Sequence, residues 1–460
     1  MDLVIPRQYP SALRRKIMLW FAIGIAIRLA LMPFTFHMDL FWEAYRSHLL
    51  PIHGTLPADF FLQIVPKLLY GLVIWITQPF FPDHAALLPD ALSYSTTVPA
   101  SSQTELWRQI ANTQGVHLLV FFLKIPTLIA DLASGVLLLH ICKERPRAGY
   151  LVLIFWMLNP LNIYSAAVYG RHDVVGVFFI LLSLLLLKRG RPISGTVAGV
   201  LGVLARLYLV VFLPFLLRAW VASIRGARGL LILGASAIAA IVLVVTSGVG
   251  SGALRFFELP HGQYLIDAAI PILRDDKIYI FIAAYVLVFL VASSVSSSPY
   301  TSSLLGMTSV GLMMMAFVFL HPAYYALITP FIALLLTIRP PARVLAAFAV
   351  MVIGIAGRLL FWDKWVTTFL FGSVLPFGVF DLPGPGAWVE QNIMPVSIFI
   401  GLSRSLLAGA SLFLLGDLWY SVLVAKLKRI GKDGALESAH RLERVVVGDG
   451  AEGVETGAKR

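Results

Sequence analysis

A small set of polar residues at the ends of apolar runs carries the types that do acid–base and phosphate chemistry. His37-Met38-Asp39-Leu40-Phe41-Trp42-Glu43-Ala44-Tyr45 follows a long apolar stretch and places two carboxylates at i and i+4, on one face if the segment is helical. A carboxylate there can act as a general base on a hydroxyl group when its site is partly buried. The same residues also fit a solvated helix end with Trp42 and Tyr45 as interfacial aromatics. Tyr169-Gly170-Arg171-His172-Asp173 packs a cation, an imidazole and a carboxylate into three positions. Arg and His are types that an anionic phosphate group needs, although the stretch also reads as a bare turn. Upstream, Asn159-Pro160-Leu161-Asn162 interrupts an apolar run and leaves backbone groups that need partners. His321-Pro322-Ala323-Tyr324-Tyr325 forms a further polar turn, and Arg255, His261, Arg274 and Lys277 add positive charge to another segment.

The elements that position these residues follow from composition. Of 460 residues, 59% are hydrophobic and only 13% charged, and the mean hydropathy is +0.85. Soluble domains carry about 45–50% apolar and about 25% charged residues. A soluble globular enzyme and a disordered chain are both excluded, and an all-α polytopic membrane protein remains. The formal net charge of +12 is assigned to cytoplasmic loops rather than to nucleic-acid binding. The single cysteine, Cys142, excludes intramolecular disulfides and Cys-based metal sites. Arg14-Arg15-Lys16 precedes an apolar run without a small-residue cleavage site, so that run is expected to be a permanent first span. Gly248-Val249-Gly250-Ser251-Gly252 follows an apolar span rather than a strand, so it is no dinucleotide loop.

Apolar runs lie near residues 17–36, 60–81, 117–140, 148–168, 174–187, 193–217, 229–249, 278–292, 302–320, 322–338, 344–361 and 396–422. Basic clusters at 14–16, 143–147, 188–191, 218–228, 339–343 and 426–432 are placed on the cytoplasmic side. Residues 14–16 and 143–147 then share a side, so 60–81 is expected to be an interfacial helix within a long outer loop, 37–116. The run 193–217 is basic at both ends, which predicts a hairpin of two short helices broken near Arg206. The expectation is about ten spans plus the hairpin, roughly 12 helices in all, with both termini cytoplasmic. One transmembrane domain covers 1–430, and a flexible tail covers 431–460. Within the spans, Arg28 and Asp131 lie roughly 16 Å and 14 Å from the inner end by helical rise. Their matched levels predict an ion pair, because an unpaired charge near the bilayer centre is costly. Lys124, seven residues before Asp131, shares its helix face.

The order of these pieces resembles the GT-C glycosyltransferases, polytopic enzymes that use a lipid-phosphate-linked sugar on the non-cytoplasmic face. The resemblance is a loose pattern over roughly residues 17–340. Asp39, with Trp42 and Tyr45 nearby, follows the first span and opens a long outer loop. Lys124-Ile125-Pro126 followed by Asp131-Leu132 is similar to a "K-x-P…D-L" span. Asn159-Pro160 followed by Tyr169-Gly170-Arg171-His172-Asp173 resembles an "N-P…W-G-Q-x-D" stretch. Gly195, Gly199 and Gly202 with Arg206 and Pro214 resemble a "G…G…K…P" hairpin, and His321 to Tyr324 an "H-x-x-Y" turn. Tyr169, Arg171 and Arg206 depart from the usual Trp, Gln and Lys, and "Y-P-P" in the first loop is replaced by Pro57-Ala58-Asp59-Phe60.

The resemblance implies a polyprenyl- or dolichyl-phosphate-sugar-dependent, mannosyltransferase-like hexosyltransferase in glycan biosynthesis. Its acceptor would be a lipid-linked glycan or another hydroxyl. Its membrane would be the plasma membrane, or the ER membrane in a eukaryote. Asp39 would be the general base, with Glu43 beside it in the catalytic group. Arg171, His172, His321 and Arg255 would bind the donor phosphate, with Arg358 a lesser candidate. Asp173, Tyr324 and Trp42 would contact substrate. No protein metal site is expected, and a divalent cation is a possible cofactor. The competing classes are a transporter or lipid flippase without covalent chemistry, which places charges at the midplane, and a structural membrane subunit. The concentration of polar residues at outer ends, and the absence of a visible internal repeat, favour the enzyme.

Overall fold

The computed structural model of the chain describes residues 4–35, 37–54, 63–81, 110–223, 265–273, 276–295, 298–318, 321–362, 367–372, 374–375 and 385–448. These are mostly helical. Helix α1 is Ser11–Leu31, with a 3-10 turn Met32–Phe34 at its end, and is followed by α2 (Met38–His53) and α3 (Ile64–Thr77). Helix α4 is Val116–Ile141, and α5 is Pro146–Leu158. One helical turn, Pro160–Ile163, and a π-helical turn, Tyr164–Tyr169, lead to α6 (Asp173–Lys188). Helix α7 (Pro192–Ala205), a 3-10 segment Leu207–Phe212 and α8 (Leu213–Ser223) complete this half. Later come α9 (Ile280–Val295), α10 (Pro299–Phe317), α11 (Thr329–Leu335), α12 (Pro341–Trp362), α13 (Pro385–Asn392) and α14 (Val396–Gly448).

Five described helices are long and apolar enough to cross a membrane: Ser11–Phe34, Val116–Ile141, Pro299–Phe317, Pro341–Leu359 and Val396–Lys426. A sixth is added if Pro146–Leu158 and Pro160–Tyr169, bent by 44° at their junction, form one span. The expected count of about ten is therefore not reproduced among the described residues. The run 322–338 is one case. It is a 3-10 turn, Pro322–Leu327, followed by α11 of only 7 residues. Pro322 and Pro330 each remove a backbone donor and restart the chain. The expected span 229–249 lies outside the described residues. A two-stranded antiparallel hairpin, β1 (Ala269–Leu273) and β2 (Asp276–Tyr279), is a small departure from the all-α expectation.

The chain divides into two compact units, 1–414 and 415–460. The described part of the second is the continuation of α14 to Gly448. The sequence places this boundary at residue 430, followed by a flexible tail. The helical backbone of α14 runs on to Gly448 through a stretch rich in Ala, Leu, Glu, Lys and Arg, all strong helix formers.

The helical hairpin is present as the sequence predicts. Helix α7 ends at Ala205, and Arg206 takes an extended backbone, φ −152° and ψ 112°. The chain then folds back, so that the Thr196 hydroxyl on α7 donates to the Leu216 carbonyl on α8 at 3.2 Å. Helix α6 rises roughly 24 Å over its length, and α7 returns alongside it. That return brings Arg206 level with Asp173, where the two form an ion pair at 2.7 Å.

Arg28 and Asp131 pair as their levels predict. Arg28 Nε donates to Asp131 Oδ2, and both side chains are fully buried. Arg28 Nη1 also donates to the carbonyls of Gly24 (3.0 Å) and Met157 (2.8 Å). The Met157 carbonyl sits where α5 stops before Pro160, and the Leu161 N–H that a continuing helix would aim at it bonds the Asn159 side chain instead. Helix α1 comes close to α5 because Gly24 has no side chain; a Cβ there would lie 2.4 Å from Met157 Cε.

Removing one member of a buried pair costs about 3–5 kcal/mol, while removing both costs less. Asp131→Ala is expected to lower thermal stability in detergent strongly, and Arg28→Leu added to it to recover part of the loss. Additive losses in the double variant contradict the pairing.

Candidate functional site

Two chain reversals must be held before any site can form, and Lys124 of α4 holds both. Its amine nitrogen lies within hydrogen-bonding reach of five acceptors, more than its N–H groups serve at once: the carbonyls of Met32 (3.1 Å), Ala167 (2.7 Å), Val168 (3.0 Å) and Thr35, and the Thr35 hydroxyl (3.1 Å). Met32 and Thr35 close α1 and lead into His37 and Asp39. Ala167 and Val168 belong to the π-turn that leads into Arg171. Gly170 stops that turn in the left-handed region, φ +76°, and a Cβ there would lie 2.6 Å from Lys124 Cε. Its carbonyl accepts from the Tyr70 hydroxyl of α3 at 3.2 Å. One lysine side chain thus sets the spacing between the two segments that the sequence marks as chemical.

Asp39 and Arg171 meet as a result. Arg171 Nη1 donates to Asp39 Oδ2 at 2.5 Å, and Nη2 donates to the Tyr324 hydroxyl at 3.0 Å. Arg171 Nε lies 3.0 Å from Asp173 Oδ2. Asp173, fully buried, is held between Arg171 and Arg206. The two guanidiniums also lie over the Tyr324 ring, 4.6 and 4.4 Å from its centre. The Tyr169 hydroxyl donates to Asp39 Oδ2 at 3.2 Å and lies 3.1 Å from His37 Nε2. The Asp39 backbone N–H donates to His37 Nδ1 at 3.0 Å. His37 Nδ1 is therefore an acceptor, the proton sits on Nε2, and the ring orients Tyr169 toward Asp39.

The second carboxylate of α2 faces a different neighbour. With its amide turned to satisfy its surroundings, Gln63 donates to Glu43 Oε1 and to His172 Nε2 and accepts from Arg206 Nη1, each at 3.0 Å. Lys67, on the buried side of α3, is a cationic neighbour of Glu43. Three carboxyls, of Asp39, Glu43 and Asp173, thus share one region with the cations Lys67, Arg171 and Arg206.

The electrostatics separate the two carboxyls. Burial alone raises Asp39, but the Arg171 guanidinium, with the hydrogen bond from the Tyr169 hydroxyl, holds it below the usual carboxylate range. Asp39 is the exposed member, with 42% of its side chain accessible against 12% for Arg171. Glu43 goes the other way: burial raises it, and Lys67, Arg46, Arg171 and Arg206 offset that only in part. All three imidazoles are neutral. Burial lowers His37 to about 4, assisted by Arg171 and opposed by Asp39. Burial and Arg171 lower His321 to about 3. Burial, Arg206 and Arg171 lower His172 well below its ordinary value. Among the described residues, no group of three or more His, Cys, Asp or Glu side chains is placed to hold a metal.

The sequence-selected residues thus divide. Asp39, Arg171, Asp173, His321 and Tyr324 come together, and Glu43 and His172 join through Gln63. Trp42 instead carries Arg46 over its ring at 4.3 Å. Arg255 lies outside the described residues. His172 and His321, expected to help neutralise a phosphate, can do so only as neutral N–H donors, because buried imidazoles beside arginines stay unprotonated. Arg358 donates to the Tyr325 hydroxyl at 3.2 Å. Gln63, Tyr70 and Arg206 were not singled out as site residues. Only Arg206 had a sequence signal, as the charge at a hairpin break. No family model matches the chain, and no curated protein or solved structure does so either.

Histidine-selective 15N NMR in nanodiscs checks these charge states. His37 and His321 are expected to stay neutral as the pH is lowered from about 8 to about 5, with His37 protonated on Nε2. Rings that titrate near their ordinary value contradict the assignment.

Proposed function

We infer that the chain is a membrane glycosyltransferase that moves a hexose from a polyprenyl- or dolichyl-phosphate donor to an acceptor hydroxyl. The observation that supports this is a partly exposed carboxylate, Asp39, gripped by a buried arginine beside a second one. On this reading the Asp39 end faces the non-cytoplasmic side. The basic end supports that orientation: Lys16, Arg145 and Arg147 line one groove, and Arg145 donates to the Thr337 carbonyl at 2.5 Å. The N-terminus is then cytoplasmic.

Asp39 takes the acceptor proton as the acceptor oxygen bonds to the anomeric carbon from the face opposite the leaving group. The anomeric C–O bond breaks, its electron pair stays on the phosphate oxygen, and the configuration inverts. Arg171 answers the charge that develops on that oxygen. In the resting site Arg171 also weakens Asp39 as a base. A donor phosphate that draws Arg171 toward itself relaxes that grip, so that the base gains proton affinity when the donor is present. Asp173 and Arg206 hold Arg171 in place rather than touching the reacting atoms.

In proteoliposomes supplied with radiolabelled polyprenyl-phosphate hexoses and candidate acceptors, Asp39→Asn is expected to lower transfer by about 100- to 10,000-fold. The variant should still express and elute as a folded protein by gel filtration. Full transfer by that variant rejects Asp39 as the base. Flux of lipid or ions by wild-type protein without transfer rejects the enzyme in favour of a transporter.

A further inference from the structure

One part of this region has no place in the proton and phosphate chemistry above. Glu43 stands one helical turn beyond Asp39 on the same face of α2. His172 stands at the start of α6 and is 1% exposed. A single amide fixes both, since Gln63 donates to Glu43 Oε1 and His172 Nε2 at 3.0 Å each. The amide is itself fixed through Arg206 Nη1, whose guanidinium is anchored on Asp173.

The bonding inventory of these groups is incomplete. Because Gln63 donates to His172 Nε2, that nitrogen is an acceptor, and the neutral ring carries its proton on Nδ1. His172 Nδ1 is buried and finds no hydrogen-bond partner, and Glu43 Oε2 is likewise buried without one. The region thus holds an unmatched donor and an unmatched acceptor, on two side chains that share one positioning amide. Buried polar groups of this kind are bonded in nearly all folded proteins. Their neighbour Tyr70 presents its ring at right angles to His172, centres 6.4 Å apart.

We propose that Glu43, Gln63 and His172 form a hydroxyl-reading subsite for a neutral sugar ring. Glu43 Oε2 accepts from one ring hydroxyl, and His172 Nδ1–H donates to its neighbour. A diol satisfies both atoms, since each hydroxyl can donate and accept. Gln63 is the positioning residue: it touches both readers without itself meeting the ring. This inference rests on the glycosyltransferase reading for its choice of a sugar, but binding tests it without any turnover.

The experiment is ligand-observed NMR of methyl α-mannopyranoside, methyl α-glucopyranoside and methyl β-galactopyranoside with the full-length protein in nanodiscs. Their 2-, 3- and 4-deoxy counterparts are measured beside them. At least one parent glycoside is expected to bind, and two adjacent deoxy positions are expected to weaken it, each by about 10-fold. In Glu43→Gln one of these penalties is expected to shrink, in His172→Phe the other, and in Gln63→Leu both. Thermal unfolding and gel filtration establish that each variant is folded. Where a variant does not fold, Gln63→Glu replaces it, because its carboxylate cannot donate to both readers and is expected to reduce both penalties. Penalties that persist in folded variants overturn the subsite, as does no binding of any pyranoside. Sugar binding with the expected pattern, but no transfer in the proteoliposome assay, keeps the subsite and rejects the transferase. Transfer with penalties insensitive to these variants does the reverse.

Discussion

A helix that ends inside apolar surroundings leaves its last carbonyls without donors, and no water is at hand to supply them. Long cations meet this need repeatedly in this protein. Lys124 collects the carbonyls after α1 and in the π-turn. Arg28 takes the Met157 carbonyl at the end of α5, and Arg404 takes those of Ala316 and Val318 at the end of α10. A cation at a helix C-terminus is also favoured by the helix dipole. Charges that look functional because they lie inside apolar runs are thus first of all caps. This separates Lys124 and Arg28, which hold backbone, from Arg171, whose guanidinium meets only side chains in the hydrogen bonds and ion pairs described above.

The Lys124 cage fixes the distance between the Asp39 and Arg171 segments, and Gly170 lets the cage close. Because the spacing is set by backbone, the carboxylate and guanidinium are preorganised rather than assembled from mobile loops. Asp173 and Arg206 then support Arg171 from behind, which leaves Asp39 as the accessible face of the cluster. The two carboxyls of α2 diverge because one meets arginine at 2.5 Å while the other meets an amide in a buried pocket. An ionised base and a carboxyl suited to holding hydroxyls can therefore sit one helical turn apart.

Much of this was legible in the sequence, and the rest was hidden for identifiable reasons. Composition established the membrane class, and matched depth identified the Arg28–Asp131 pair. The basic flanks of 193–217 predicted a hairpin broken at Arg206. The i, i+4 spacing put Asp39 and Glu43 on one face. The count of about ten spans is not reproduced among the described residues, where 174–187 and 278–292 form helices of 16 residues and 322–338 is interrupted at Pro322 and Pro330. The charge states of His172 and His321 were not readable either, since a histidine beside an arginine looks like a cation in one dimension and becomes neutral once buried. Gln63 carries no sequence signal at all. It becomes significant only because α3 folds its N-terminus against α2, α6 and the hairpin tip.

The most direct measurement is a cryo-EM structure of the protein in nanodiscs with a polyprenyl-phosphate hexose bound. The account predicts the phosphate against Arg171, the anomeric carbon facing Asp39, and the Asp39–Arg171 contact lengthened relative to the resting site. A lipid phosphate held elsewhere in the molecule, with Asp39 and Arg171 still locked together, contradicts it.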